Sequence, residues 1–236
     1  MIKGIYSAGR SLEQGIKNID VIANNLANVN TTGYKRQIPF SEILSDSGDV
    51  GVRNITSQEQ GNLVKTSNPL DLALTGKGFF VLKGDDGGTE ITRDGRFKIS
   101  PDGLLVSDDS MPVMGQNGII SLEDSLVENN SEIKVNKDGE IKIGDRTIAT
   151  LLVVDVDNSS SLTRAGNSNF KVENQGYQVA SPNEYAISQG YLEEANTNPI
   201  EEMEAMIQLN KNYESAQKVI NALDQSLQQA NDIGKV

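Results

Sequence analysis

The side chains that most often do chemistry are missing from this chain. Its 236 residues contain neither cysteine nor histidine. That removes disulfides, thiolate nucleophiles and zinc–thiolate sites, together with the commonest general base and transition-metal ligand. Carboxylates remain, able in principle to serve as an acid/base pair or to hold a hard divalent cation. Four of them stand in turn dipeptides, Asp86-Gly87, Asp94-Gly95, Asp102-Gly103 and Asp138-Gly139, with Asn117-Gly118 of the same kind. A turn accounts for each, and no D-x-D-x-D-G register is present. Asp85-Asp86-Gly87-Gly88 is the best cation candidate on composition. Asp155 and Asp157 read as a solvated strand end. Gly76-Lys77-Gly78 lacks the spacing of a phosphate-binding loop, and Phe79-Phe80-Val81-Leu82 continues as a strand where a helix would be needed. It reads as a tight turn. No catalytic residue, metal site or cofactor is expected, and no small-molecule substrate.

Charge excludes further classes. The net charge of −12 and a pI near 4.5 argue against nucleic acid, whose phosphates require a basic face. No stretch approaches the roughly 18 apolar residues of a membrane-spanning helix. Polar residues from Ser7 to Gln14 interrupt the N-terminus, so no cleaved secretory signal is expected. The two ends differ in sign. Residues 1–40 sum to about +3 and residues 192–236 to about −5.

The elements that would position any site begin with the ends. Ile5, Leu12, Ile19 and Leu26 recur every seven residues, and Ala8, Gly15, Ile22 and Val29 form a second row. This is the a/d pattern of a helix that packs on another helix. Ile16 and Ala23 widen the stripe. Asn28, Asn30, Thr31, Thr32 and Gly33 should end the helix near 27–30. At the other end Asn198 is an N-cap, Pro199 occupies the first helical position, and Glu201 can reach back to the cap amide. Glu202 and Glu204 place negative charge where the helix dipole favours it. Met206, Tyr213, Ile220 and Leu227 form one heptad row. Leu209, Ala216, Leu223 and Ala230 form the other, and the helix should end before Gly234. Such helices could dock separately on the central domain. The shared period and opposite charges favour pairing with each other.

Between residues 37 and 191 the period changes to two. Leu70, Leu72 and Leu74 alternate with Asp71, Ala73 and Thr75, and Phe97 and Ile99 alternate with Arg96 and Lys98. Ile133 and Val135, then Asn136 to Glu140, then Ile141 and Ile143, predict a hairpin. Thr150 to Val156 suits a central strand. The expected class is therefore α+β. Long terminal helices form a paired, coiled-coil-like layer, and the central domain is mostly antiparallel, a small sandwich or barrel. The expected division is 1–36 with 192–236 as a helical assembly domain and 37–191 as the β domain, with an extended connection near 37–68.

The run from Asp20 through Asn24-Asn25-Leu26-Ala27-Asn28 to Gly33-Tyr34-Lys35-Arg36 resembles the N-terminal motif of flagellar rod and hook axial proteins. Further blocks resemble the same family. They are Gly61-Asn62-Leu63, Asn68-Pro69-Leu70-Asp71, Gly78-Phe79-Phe80, Thr92 to Phe97, Gly190 to Glu193, and Asn196-Thr197-Asn198-Pro199-Ile200-Glu201-Glu202-Met203. Within the family, the length and the block Leu162 to Gly166 leading to Asn169-Phe170 resemble proximal-rod members most. So does the tail, Gln217 to Ile220 with Ala230 to Gly234. Distal-rod members share every main motif. The resemblance implies a structural, self-associating subunit of the periplasmic rod that assembles with other axial subunits and leaves the cell through the flagellar export channel. It also implies that terminal segments are unfolded before assembly and helical after it. Two rivals are a carboxylate- or metal-dependent enzyme on a β scaffold and an unrelated secreted coiled-coil module.

Overall fold

The terminal heptads form the two helices. The structure, a computed structural model, describes residues 2–43, 50–84, 87–122, 133–156, 162–172 and 176–233. Helix α1 spans Ile2–Ala27 and stops at the polar turn that begins at Asn28. Helix α2 spans Pro199–Ile233. Asn198 caps α2: its Oδ1 accepts the Ile200 N–H at 3.0 Å. Glu201 bonds the Asn198 side-chain amide at 3.0 Å. At 1.5 Å per residue the helices are about 39 and 52 Å long.

The chain divides into two compact units, both discontinuous in sequence. The first contains Met1–Ala27, Gln37–Ile55 and Thr197–Val236. Here α1 packs on α2, and strands β1 (Gln37–Ile43) and β2 (Val50–Thr56) form a two-stranded sheet. The helices run antiparallel. A Cβ on Gly4 would meet Leu223 at 3.8 Å, while Asn25 bonds Glu202. Along α2 the half-buried positions from 206 onward are Met206, Leu209, Tyr213, Ala216, Ile220, Leu223 and Leu227, and the residues between them are exposed. On α1, Leu12, Ile19 and Leu26 are half-buried and Ile22 is buried. Ile5 also lies within α1. Two expectations need correcting. Ile16 (49% exposed) and Ala23 lie in solvent, because the covered face of α1 extends past the a/d rows on the opposite side, where Gln14 and Asn18 are half-buried and Val21 and Asn25 are buried. Val29 follows the end of α1 and belongs to the second unit.

The second unit contains Asn28–Arg36 and Thr56–Asn196. Its centre is a six-stranded antiparallel sheet in the order β15-β16-β6-β5-β14-β17. These strands are Leu162–Gly166, Asn169–Val172, Thr89–Thr92, Phe79–Lys83, Val153–Asp155 and Gln178–Val179. Strand β5 is buried on both faces, so it reads as a continuous apolar run. Phe79 and Val81 join Ile91, Val154, Leu162 and Phe170 on one side. Phe80 and Leu82 join Phe97, Leu105, Val113 and Ile141 on the other. Both clusters contain an edge-to-face pair, Phe79–Phe170 at 6.1 Å and Phe80–Phe97 at 5.2 Å.

Shorter sheets complete the unit. Strands β7 (Phe97–Ile99) and β8 (Leu105–Ser107) pair, as do β9 (Met114–Gly115) and β10 (Gly118–Ile119). The hairpin expected at 133–143 forms from β11 (Ile133–Val135) and β12 (Glu140–Ile143), extended by β13 (Arg146–Thr150). The run from Thr150 to Val156 is two pieces: β13 ends at Thr150, and β14 begins at Val153. Gly76-Lys77-Gly78 is the turn between β4 (Leu72–Gly76) and β5. Asp85, Asp86 and Asp157 lie outside the described residues.

Two long-range pairings position the site. Strand β18 (Tyr185–Gln189) lies antiparallel to β4, and β19 (Tyr191–Glu193) lies antiparallel to β3 (Leu63–Lys65). The last strands of the unit therefore return beside its first, close to residues 28–36.

Candidate assembly interface

The motif residues fall into a turn and two buried polar networks. The turn begins where α1 ends. Asn28 accepts the Thr31 N–H at 3.0 Å and bonds its hydroxyl at 3.2 Å. Gly33 donates to the Glu193 carbonyl at 2.7 Å. It holds φ +66°, and a Cβ there would lie 2.3 Å from the Asp94 nitrogen. No other residue fits without moving that backbone. Tyr34 is buried, and the Arg164 guanidinium lies 4.2 Å from its ring centroid while donating to the Lys35 carbonyl.

The first network is ionic. Glu193 is fully buried and binds both Lys35 and Arg93, which are 1% and 3% exposed. Its Oε1 accepts Lys35 Nζ at 2.7 Å and the Gly61 N–H at 2.9 Å. Its Oε2 accepts Arg93 Nη1 at 3.2 Å. Lys35 also donates to the Glu59 carbonyl at 2.6 Å, and Arg93 to the Gly76 carbonyl at 2.7 Å. Burial pulls the Lys35 pKa down, with Glu193 opposing and the Arg93 charge assisting. Burial also lowers Arg93, again against Glu193. Two cations share one anion in a dry site, so both depend on that carboxylate.

Asn196 seals the same junction. It accepts the Arg36 N–H at 2.6 Å and donates to the Glu59 carbonyl at 2.8 Å, and its own N–H bonds the Tyr34 carbonyl at 3.3 Å.

The second network lies in the helical unit. Asn25 is 1% exposed, and its side chain bonds both backbone groups of Gln37, at 2.8 Å and 2.9 Å. Its amide also donates to Glu202 Oε2 at 3.3 Å. Asn25 belongs to α1 and clamps β1. Glu202 stands in the first turn of α2, as read from the sequence, and is buried there, 0% exposed. Asn24 and Met203 are exposed.

Sequence reasoning missed Arg93, Arg164 and Glu193. Each stands in a motif block, Arg164 and Glu193 within short strands and Arg93 just after one. Lys35, counted with the basic terminus, pairs with Glu193 in the β unit.

These features define a class of protein: a helical unit built from both chain ends, and a β unit whose buried charges tie the two crossings of the chain. Comparison with known proteins gives that class a family. Residues 5–35 match the family described as flagella basal body rod protein, and residues 73–143 the flagellar hook protein FlgE/F/G D1 domain. Residues 188–233 match the flagellar basal body rod FlgEFG protein C-terminal family. The flagellar basal-body rod protein FlgG of Buchnera aphidicola subsp. Baizongia pistaciae is 34% identical, over 97% of this chain and 98% of its own. The rod protein FlgF of Caulobacter vibrioides is 32% identical over 93% of each chain. FlgF of Mesorhizobium japonicum is 30% identical over 89% of this chain and 87% of its own. The chain belongs to the flagellar basal-body rod protein family.

Proposed function

We propose that the chain is a structural subunit of the flagellar basal-body rod, polymerising with its own kind and with other axial subunits into a helical axle that transmits torque and surrounds the export channel. The observation that carries this reading is the unfinished helical unit. The seam of α2 is half-buried along its length, and Tyr6, Ile16, Ile200, Met203, Ile207 and Val219 remain 46–71% exposed. Two helices do not cover that much apolar surface, and neighbouring copies would. In this reading Ile5, Leu12, Ile19, Ile22 and Leu26 pair with the α2 row as a short coiled coil. A pair only four heptads long, with Gly15 and Ala216 in its seam, is marginal alone and gains from bundling. Contacts of this kind repeat head-to-tail without closing, which gives a helical stack. The subunit would reach the periplasm through the flagellar channel.

The relatives named FlgF align over 217–238 positions, about this chain's 236 residues, whereas those named FlgG align over 261–270. That favours the proximal rod, with a distal-rod or hook-type position as the second reading. Labelled copies in isolated basal bodies discriminate the two. The function itself is tested with full-length protein and a version lacking residues 1–36 and 199–236. Full-length protein should polymerise with a gain of helical circular dichroism, and the truncated form should stay monomeric. Normal swimming in a strain lacking the gene would overturn the reading.

A further inference from the structure

The inner row of α2 reads Glu202, Leu209, Ala216, Leu223, one residue in seven. Its first member is a carboxyl group with no exposure to solvent. A buried carboxyl on an apolar row is unfavourable unless it is hydrogen-bonded. From the other helix, the Asn25 side-chain amide donates to it at 3.3 Å. Asn25 is itself fixed from behind. Its Nδ2 donates to the Gln37 carbonyl at 2.8 Å and its Oδ1 accepts the Gln37 N–H at 2.9 Å. Those two bonds set which way the amide faces and leave one N–H directed at Glu202. Asn25 therefore cannot follow α2 if that helix slides.

Sliding is the particular hazard of this seam. Gly4 faces Leu223 at one end and Asn25 faces Glu202 at the other. Both intervals are 21 residues, three heptads on each helix. A seven-residue apolar repeat is nearly degenerate to a shift of one heptad, because apolar residues meet apolar residues again. Such a shift would take Glu202 away from the Asn25 amide and, in one direction, place Leu209 against that amide. It would also displace α2 by about 10 Å along α1. In a stack that repeats one contact in every copy, that displacement changes the repeat.

We propose that Asn25 and Glu202 are positioning residues that set the register of α1 against α2, the role a single buried polar pair plays in a heptad seam. This rests on the reading that the two helices pair when the subunit assembles.

The absence of cysteine makes the test direct. Three double variants report register: Gly4→Cys with Leu223→Cys for the observed pairing, and Gly4→Cys with Ala216→Cys or Ala230→Cys for slips of one heptad. Each is treated with a short bis-maleimide, both purified and assembled, under conditions where circular dichroism shows helix. Intramolecular products are identified by mass. Only the 4–223 pair should cross-link in the otherwise unchanged chain. With Asn25→Leu and Glu202→Leu added, a slipped pair should rise at least fivefold at the expense of 4–223. Glu202→Gln, which keeps a hydrogen-bonding group, should hold the original register, and this milder variant contrasts with Glu202→Leu alone should the double change unfold the helices. Cross-linking confined to 4–223 in the leucine variants overturns the inference while leaving helix pairing intact. No cross-link at any pair, with helix present, overturns the pairing itself and the inference with it.

Discussion

Lys35 Nζ lies 2.7 Å from Glu193 Oε1, joining a residue eight positions past the end of α1 to one six positions before the start of α2. The same carboxylate holds Arg93. Its loss and the loss of Lys35 should therefore differ. Glu193→Ala leaves two cations together in a dry site and should cost about 3–5 kcal/mol. Lys35→Met leaves the neutral Arg93–Glu193 pair. The Glu59 carbonyl keeps Asn196 as a donor and Gly61 keeps Glu193, so the cost should be about 1–2 kcal/mol. Urea unfolding of the two variants checks this. Equal losses would mean that Glu193 is there for packing and not for charge.

The same lysine gives a pH prediction. Burial holds its folded-state pKa below 10.5. Between that lowered value and 10.5 the unfolded chain binds more protons than the folded one, so this group makes stability rise with pH. Tyr185, whose pKa burial raises, contributes with the opposite sign once pH passes 10. The quantity to measure is the difference between the parent chain and Lys35→Met. The parent should gain relative to the variant as pH rises toward 10.5. A difference flat with pH would show that Lys35 sits as comfortably charged in the fold as in water.

The parts legible in the sequence were those fixed by local chemistry. Asn198 and Pro199 start α2, the polar run from Asn28 stops α1, and the α2 heptads map onto its half-buried positions. The hairpin at Asn136 to Glu140 pairs Ile133 with Ile143 and Val135 with Ile141, as its alternation requires. What was not legible depends on contacts distant in sequence. Glu202 looks like a helix-dipole residue until its seven-residue offset from Leu209 is combined with Asn25, 177 positions away. Arg93 and Glu193 meet only because β19 returns beside β3. No period or turn signal encodes that meeting.

Gly33 tests the junction sterically. Alanine there must accept φ +66° and also displace the backbone of Arg93 and Asp94, which a Cβ would approach to 2.3–2.7 Å. The expected loss is about 3–4 kcal/mol. Gly87→Ala is the control: φ is +79° and nothing lies within 4 Å, so only the left-handed conformation is penalised, at about 1 kcal/mol. Thermal unfolding of both variants separates the two effects. Similar losses would place the importance of Gly33 in its dihedral angle alone.

Gly15 separates stability from assembly. It lies inside α1 beside Leu209, Tyr213 and Ala216, with nothing within 4 Å of where its Cβ would be. Alanine fits and removes the entropic weakness of a mid-helix glycine, so Gly15→Ala should stabilise the helical unit by about 0.5–1 kcal/mol. If the open groove at Gly15 is where a neighbouring copy closes on the helix pair, the more stable chain should polymerise more slowly, because the added methyl occupies contact space. Melting and polymerisation rate, measured on the same preparation, decide it. A variant both more stable and faster to polymerise would move the contact between copies to another face, such as the one carrying Ile200, Met203 and Ile207.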